Sequence, residues 1–320
     1  MNEARLVARI RELFSDRIGD DGAVIGDQVI TTDMLVEDVD FRRSIPLPLI
    51  ARKSLAVNLS DLAAMGASPA WAVIALGLPE WALAGIDPFL VALRDAARRY
   101  RIEIVGGDLS RAEKLTIAVT AAGQTKRPLL RSGARPGDRI FLSRPIGGSA
   151  AGLHLLESGW SVEGDPPRNT AYVHREFAAS AIRRHVDPEP EVELGIALSG
   201  IDEVTACIDV SDGLSTDLAH LCEASQCGAE IERERIPMFP DLLGAAATLG
   251  IRPQDVVLHG GEEYALLFTS SLRESELSAR LGRPVYAIGK TLRAREMRIL
   301  EDGVEKPLEV RGWDHFSASS

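Results

Sequence analysis

Apolar residues recur along the chain in two periods, one near 3.6 and one near two, which predicts helices interleaved with strands. Leu6, Ile10, Leu13 and Phe14 fall on one side of a helix over residues 3–14. The run QVITTDMLVEDVDF (28–41) is rich in β-branched residues and predicts a strand ending in acids. Pro46 and Pro48 open a helix over 46–65, and Gly66 closes it. WAVIALGLP (71–79) predicts a buried strand, 86–101 a helix, and IEIVGGD (102–108) and LTIAVTAAG (115–123) two further strands.

The turn Ala134-Arg135-Pro136-Gly137-Asp138 is the best boundary between halves, giving expected domains of 1–137 and 138–320. Beyond it, RIFLS (139–143) predicts a strand and GGSAAGLHLLESG (147–159) a glycine-started helix. Helices follow over about 170–184 and 190–199, then the strand VTACIDV (204–210) and a helix from Leu214 to Ser225. Shorter strands and helices alternate to a frayed SASS tail. The pattern is that of an α/β or α+β protein in two lobes.

Composition narrows the picture. The 320 residues are 45% hydrophobic but only 5% aromatic, so Ala, Val, Ile and Leu must build the core. A net charge of −11 and no Lys/Arg cluster argue against a nucleic-acid partner. The N-terminus lacks the apolar core of a signal peptide, and no stretch reaches the roughly 18 apolar residues of a membrane span, so a cytoplasmic protein is expected. Three cysteines do not form a disulfide framework. His220, Cys222 and Cys227 share no ligand face, which favours packing over zinc. The six histidines read as surface or satisfied side chains.

The chemistry-bearing signal is a repeated placement of aspartates. They end apolar runs beside Gly, Ser or Thr: Gly19-Asp20-Asp21-Gly22, Thr31-Thr32-Asp33, Ser60-Asp61, Gly106-Gly107-Asp108 and Asp209-Val210-Ser211-Asp212-Gly213. A desolvated carboxylate needs a partner, and small neighbours let an ion or phosphate approach. Oxygen ligands of this kind suit magnesium shared with substrate phosphates. Each motif alone also fits a helix cap or turn; together they point to a polyphosphate site with several cations. Gly289-Lys290-Thr291 is no P-loop, because Pro284 stands where the first glycine belongs. Gly147–Gly152 could offer helix amides to a phosphate or serve close packing, and both readings stay open.

The motifs, in order along nearly the whole chain, resemble the thiamine-monophosphate kinase family, within the superfamily of aminoimidazole ribonucleotide synthetase. The long segment Lys53-Ser54-Leu55-Ala56-Val57-Asn58-Leu59-Ser60-Asp61-Leu62-Ala63-Ala64-Met65-Gly66 is the most specific, with Gly260-Gly261-Glu262-Glu263-Tyr264 and Gly312-Trp313-Asp314-His315-Phe316 beyond it. The resemblance implies an α+β, two-lobe fold with mixed sheets covered by helices, and a homodimer built through the N-terminal lobe. It implies ATP-dependent, magnesium-assisted phosphorylation of thiamine monophosphate to thiamine diphosphate. By position, Asp21, Thr31, Thr32, Asp33, Asp61, Asp108, Asp209 and Asp212 fall where the family binds magnesium. Gly107, Asp108, Arg131 and Ser211 fall where it holds ATP, and Asp40, Glu262 and Trp313 where it meets the acceptor. Two positions depart from the family pattern: Asp40 stands where relatives often carry His, and Glu263 replaces the Asp of a GGED run. Relatives acting on a ribonucleotide, selenide or a carbamoyl group, and a non-catalytic nucleotide sensor, are the alternatives. Thiamine phosphate is already mostly deprotonated at pH 7, so no general base is expected.

Overall fold

A computed structural model of the chain describes residues 3–15, 17–168 and 173–312. The first part of the chain forms helices α1 (Glu3–Leu13), α2 (Leu47–Ala64), α3 (Glu80–Leu83) and α4 (Ile86–Tyr100). Its strands are β1 (Ala23–Ile25), β2 (Gln28–Val36), β3 (Ser68–Leu78), β4 (Glu103–Arg111) and β5 (Thr116–Gln124). They make a five-stranded sheet in the order β1-β2-β5-β3-β4. Only β3 and β4 run parallel, which requires the α4 crossover between them.

The second sheet has seven strands: β6 (Arg139–Leu142), β7 (Val204–Asp209), β8 (Gly228–Glu232), β9 (Leu266–Ser270), β10 (Tyr286–Leu292), β11 (Met297–Glu301) and β12 (Val304–Pro307). Their order is β12-β11-β8-β10-β6-β9-β7. Helices α5 (Gly148–Glu157), α6 (Arg175–Val186), α7 (Val192–Ser199), α8 (Leu214–Ala224), α9 (Leu242–Leu249), α10 (Pro253–His259) and α11 (Glu274–Leu281) accompany it. Both sheets mix parallel and antiparallel pairs, and the α+β architecture is the one the motifs implied. Among the described residues no helix is long and apolar enough to cross a membrane.

Helix α2 positions the site. It touches β2 and β5 of the first sheet and β7 and α7 on the other side, so it is buried nearly all round. Lys53, Ser54, Asn58 and Ser60 are buried along it with Leu55, Leu59 and Leu62. Gly195 of α7 permits the close approach of that helix: a Cβ there would stand 2.0 Å from the Ala63 carbonyl oxygen. Polar groups of α2 therefore face the seam between the sheets.

Some elements differ from the pattern. The strand expected over 28–41 stops at Val36, because Asp38 adopts a left-handed φ of 68° and Asp40 turns back to accept the Val36 N–H. Asp33 and Asp108 consequently lie inside strands rather than at their ends. The helix expected from 170 begins at Arg175, with 169–172 outside the described residues.

Candidate functional site

Acids from three distant segments converge at the seam. Asp21 precedes β1, Asp61 sits in the last turns of α2, and Asp209 ends β7. One carboxylate oxygen from each lies within 4.8 Å of the others. Ser60 donates its hydroxyl to Asp209 Oδ2 at 2.5 Å, and Thr31 donates to Asp61. Asn58 accepts the Asp33 N–H at 3.1 Å, which pins β2 to α2 beside the cluster. Arg131 donates twice to Asp21 Oδ1, at 3.0 and 2.5 Å, and its backbone N–H goes to Asp20 at 2.7 Å.

So many carboxylates cannot all ionise comfortably in one buried place. Burial pushes Asp33 up to about 6 and Asp209 up to about 8, with neighbouring acids adding to both. Asp61 rises well above the carboxylate range for the same reasons. Asp21 rises too, since burial outweighs the charge of Arg131. Its second oxygen, Oδ2, is buried without a hydrogen-bond partner. An orphaned oxygen among converging hard ligands is the chemistry of a divalent-cation site, and magnesium fits the donor set.

A second corner forms near the other end of α2. Lys53 Nζ lies 2.7 Å from Glu262 Oε1 and 3.4 Å from the Asp40 backbone carbonyl oxygen, so two of the three sequence-predicted acceptor residues meet around one ammonium. His185 Nδ1 reaches Glu262 Oε2 at 3.0 Å. Burial pushes Glu262 up, but Lys53 and His185 prevail and hold it below its ordinary value. Asp61 lies eight residues along α2 from Lys53, a rise of about 12 Å.

The remaining residues are scattered. The Thr32 hydroxyl is on the opposite face of β2, 3.0 Å from the Thr120 hydroxyl. Gly107 and Asp108 lie on exposed edge strand β4, three strands from β2, or about 14 Å away. Gly107 has a packing reason of its own, as a Cβ there would stand 1.8 Å from the Ile74 carbonyl oxygen. Ser211 accepts the Glu262 N–H at 2.7 Å, which ties the two loops together. Asp212 groups with Asp217 and His220 instead of the main cluster. Trp313 lies outside the described residues.

Lys53, His185 and Asp217 were not singled out from the sequence. Asp217 accepts the N–H groups of Asp212 and Gly213 at 3.1 and 3.0 Å, shaping the turn before α8. Glu263 answers the open question about Gly147–Gly152. Its Oε1 accepts the N–H groups of Gly147 and Ser149 at 2.9 and 2.8 Å, so the start of α5 already holds an anion from the protein. Gly152 serves packing, since a Cβ would stand 2.2 Å from the Ala181 carbonyl oxygen.

The family model for AIR synthase related protein, N-terminal domain, matches residues 19–125, and that for the C-terminal domain matches 135–300. Fold and paired acids thus define the class, that of AIR synthase related proteins. Within it, thiamine-monophosphate kinase of Escherichia coli (strain K12) is 36% identical over 98% of this chain and 97% of its own length. The Aquifex aeolicus (strain VF5) enzyme of the same name is 32% identical over 99% and 98%. The solved structure of AaThiL complexed with AMPPCP and TMP superposes with a TM-score of 0.86 at 33% identity, over 98% of this chain and 97% of that one. The chain belongs to the thiamine-monophosphate kinase family.

Proposed function

We propose that this chain transfers the terminal phosphoryl group of ATP directly to thiamine monophosphate, giving ADP and thiamine diphosphate. The observation that carries the reading is the convergence of Asp21, Asp61 and Asp209, whose oxygens lie within 4.8 Å of one another. Relatives of that name at 32–36% identity over nearly the whole chain, and a superposing structure with AMPPCP and TMP, support it.

Asp21, Thr31, Asp33, Asp61 and Asp209 would hold magnesium, with Asp212 contributing from the turn before α8. Magnesium supplies charge neutralisation between the two phosphates and orders their oxygens for in-line attack. Ser60 and Asn58 keep the acids oriented. Arg131 fixes Asp21 and presents a guanidinium to the nucleotide phosphates. The acceptor phosphate has a second pKa of about 6, so its attacking oxygen needs no base. Glu262 and Asp40 face the cationic ring of the acceptor, with Trp313 read as a further contact.

The domains are read as 1–137 and 138–320, each lending acids to one site. Thr32, Gly107 and Asp108 lie on the outer face and edge of the first sheet, with Ser211 across the seam from it. β4 leaves Val105 and Leu109 exposed at 55% and 71%, and Met34 beside Thr32 is 60% exposed. An apolar, unpaired edge strand supports a homodimer through this sheet. Use of ATP supports a cytoplasmic place of work.

The experiment is an ADP-release assay with magnesium. Thiamine monophosphate should drive release and unphosphorylated thiamine should not. Equal release with both, or none with either, overturns the proposal.

A further inference from the structure

Glu262 is constrained more tightly than a loop carboxylate needs to be. Its backbone is left-handed at φ 58°, and Tyr264 two residues on is also left-handed at 48°. Such backbone is disfavoured outside glycine and persists only where surroundings dictate it. The surroundings here are three donors. Lys53 Nζ from α2 is 2.7 Å from Oε1, His185 Nδ1 from α6 is 3.0 Å from Oε2, and the Tyr264 hydroxyl is 3.4 Å from Oε1. Lys53 is almost wholly buried, with 4% of its side chain exposed, whereas Glu262 keeps 28%. A carboxylate gripped on its inner side thus retains an open outer side.

Lys53 and Asp61 share one helix, about 12 Å apart along its axis, so the helix that carries an acid of the cluster also carries the ammonium that grips Glu262. Burial and the Lys53 charge hold His185 down to about 4, so it meets Glu262 as a neutral ring at pH 7. Asp40 itself is anchored, accepting the Val36 N–H at 2.7 Å.

We infer that Lys53 and His185 are positioning residues that lock the Glu262 carboxylate in place, so that its open side meets the cationic ring of the acceptor. This rests on the acceptor reading given under the proposed function. Neither residue touches the reacting atoms; each acts through Glu262.

The test is calorimetric binding of thiamine monophosphate to the full chain, with magnesium and a non-hydrolysable ATP analogue present. Lys53→Met and His185→Leu should each weaken thiamine monophosphate roughly ten- to hundredfold while ATP-analogue affinity stays within about twofold. His185→Asn, which keeps an N–H near the Nδ1 position, should recover most of the loss. Lys53→Met added to Glu262→Gln should weaken binding no further than Glu262→Gln alone, because the effect runs through one carboxylate. Wild type should prefer thiamine monophosphate over an isostere with a neutral ring, and Glu262→Gln should lose that preference. Additive losses in the double variant, or equal loss of ATP-analogue binding, overturn the inference. So does wild-type affinity in Lys53→Met and His185→Leu. Failure of wild type to bind thiamine monophosphate at all strikes the acceptor reading instead.

Discussion

The Ser60 hydroxyl on α2 donates to Asp209 Oδ2 at the end of β7 across 2.5 Å, joining two acid motifs that lie far apart in the chain. Ser60 is fully buried and Asp209 nearly so. This bond orients one carboxylate of the cluster. Ser60→Ala should therefore act as loss of an orienting partner. The magnesium concentration for half-maximal activity should rise roughly tenfold, with turnover at saturating magnesium much less affected. A magnesium titration of activity checks this, and an unchanged midpoint counts against it.

Asp61→Asn should divide stability from activity. Burial and then its acidic neighbours push the Asp61 carboxyl well above its ordinary value, so a neutral amide there removes the cost of ionising it. The metal-free variant should melt at or above the wild-type temperature at pH 8. Its turnover should fall at least about a hundredfold, since an orienting oxygen for charge stabilisation is lost. A variant that melts earlier and stays active would contradict both halves.

Protonation and cation binding should compete. Asp33 and Asp209 have folded values near 6 and 8, above their unfolded values near 4. Their protonated forms favour the fold below about pH 4, and that contribution is lost as pH rises toward 8. Without metal, stability should decline across this window. Added magnesium should raise the melting temperature little at pH 5 and much more at pH 8, because binding displaces protons. Thermal melts at both values, with and without magnesium, decide the matter; a pH-independent shift would speak against the cluster.

Gly195→Ala should destabilise the fold by about 2 kcal/mol through overpacking. The added carbon would meet the Ala63 carbonyl oxygen at 2.0 Å and press α7 away from α2, two turns from Asp61 or less. Denaturant unfolding measures it, and a neutral substitution would mean that the helices separate freely.

Much of this was legible in the chain. Asp21, Asp61 and Asp209 stood out because aspartate beside glycine or serine at the rim of an apolar run has little else to do in number. Alternating periods left α/β and α+β both open, and the family resemblance implied the α+β fold. The boundary of β2 did not, since a period-two pattern continues through Asp38 and only its left-handed backbone ends the strand. Lys53 opens the family-like segment but carries no expected role, because a lysine in an apolar helix ordinarily extends its ammonium to water. Its partner Glu262 lies in a remote loop, and nothing local in the sequence announces the pairing. The sequence leaves His185 as a surface or a satisfied side chain; that it is buried against Glu262 and Ser149 comes only with the tertiary fold. Glu263 shows the same limit: its role at the start of α5 depends on a contact between distant segments.

The central claim is that carboxylates from three distant segments form one divalent-cation site serving ATP. Calorimetric titration of magnesium into the protein with a non-hydrolysable ATP analogue tests it most directly, with Asp21→Asn, Asp61→Asn and Asp209→Asn compared singly with wild type. The account predicts that each substitution weakens magnesium binding at least about tenfold, whichever segment its residue comes from. Wild-type affinity in all three variants would contradict it.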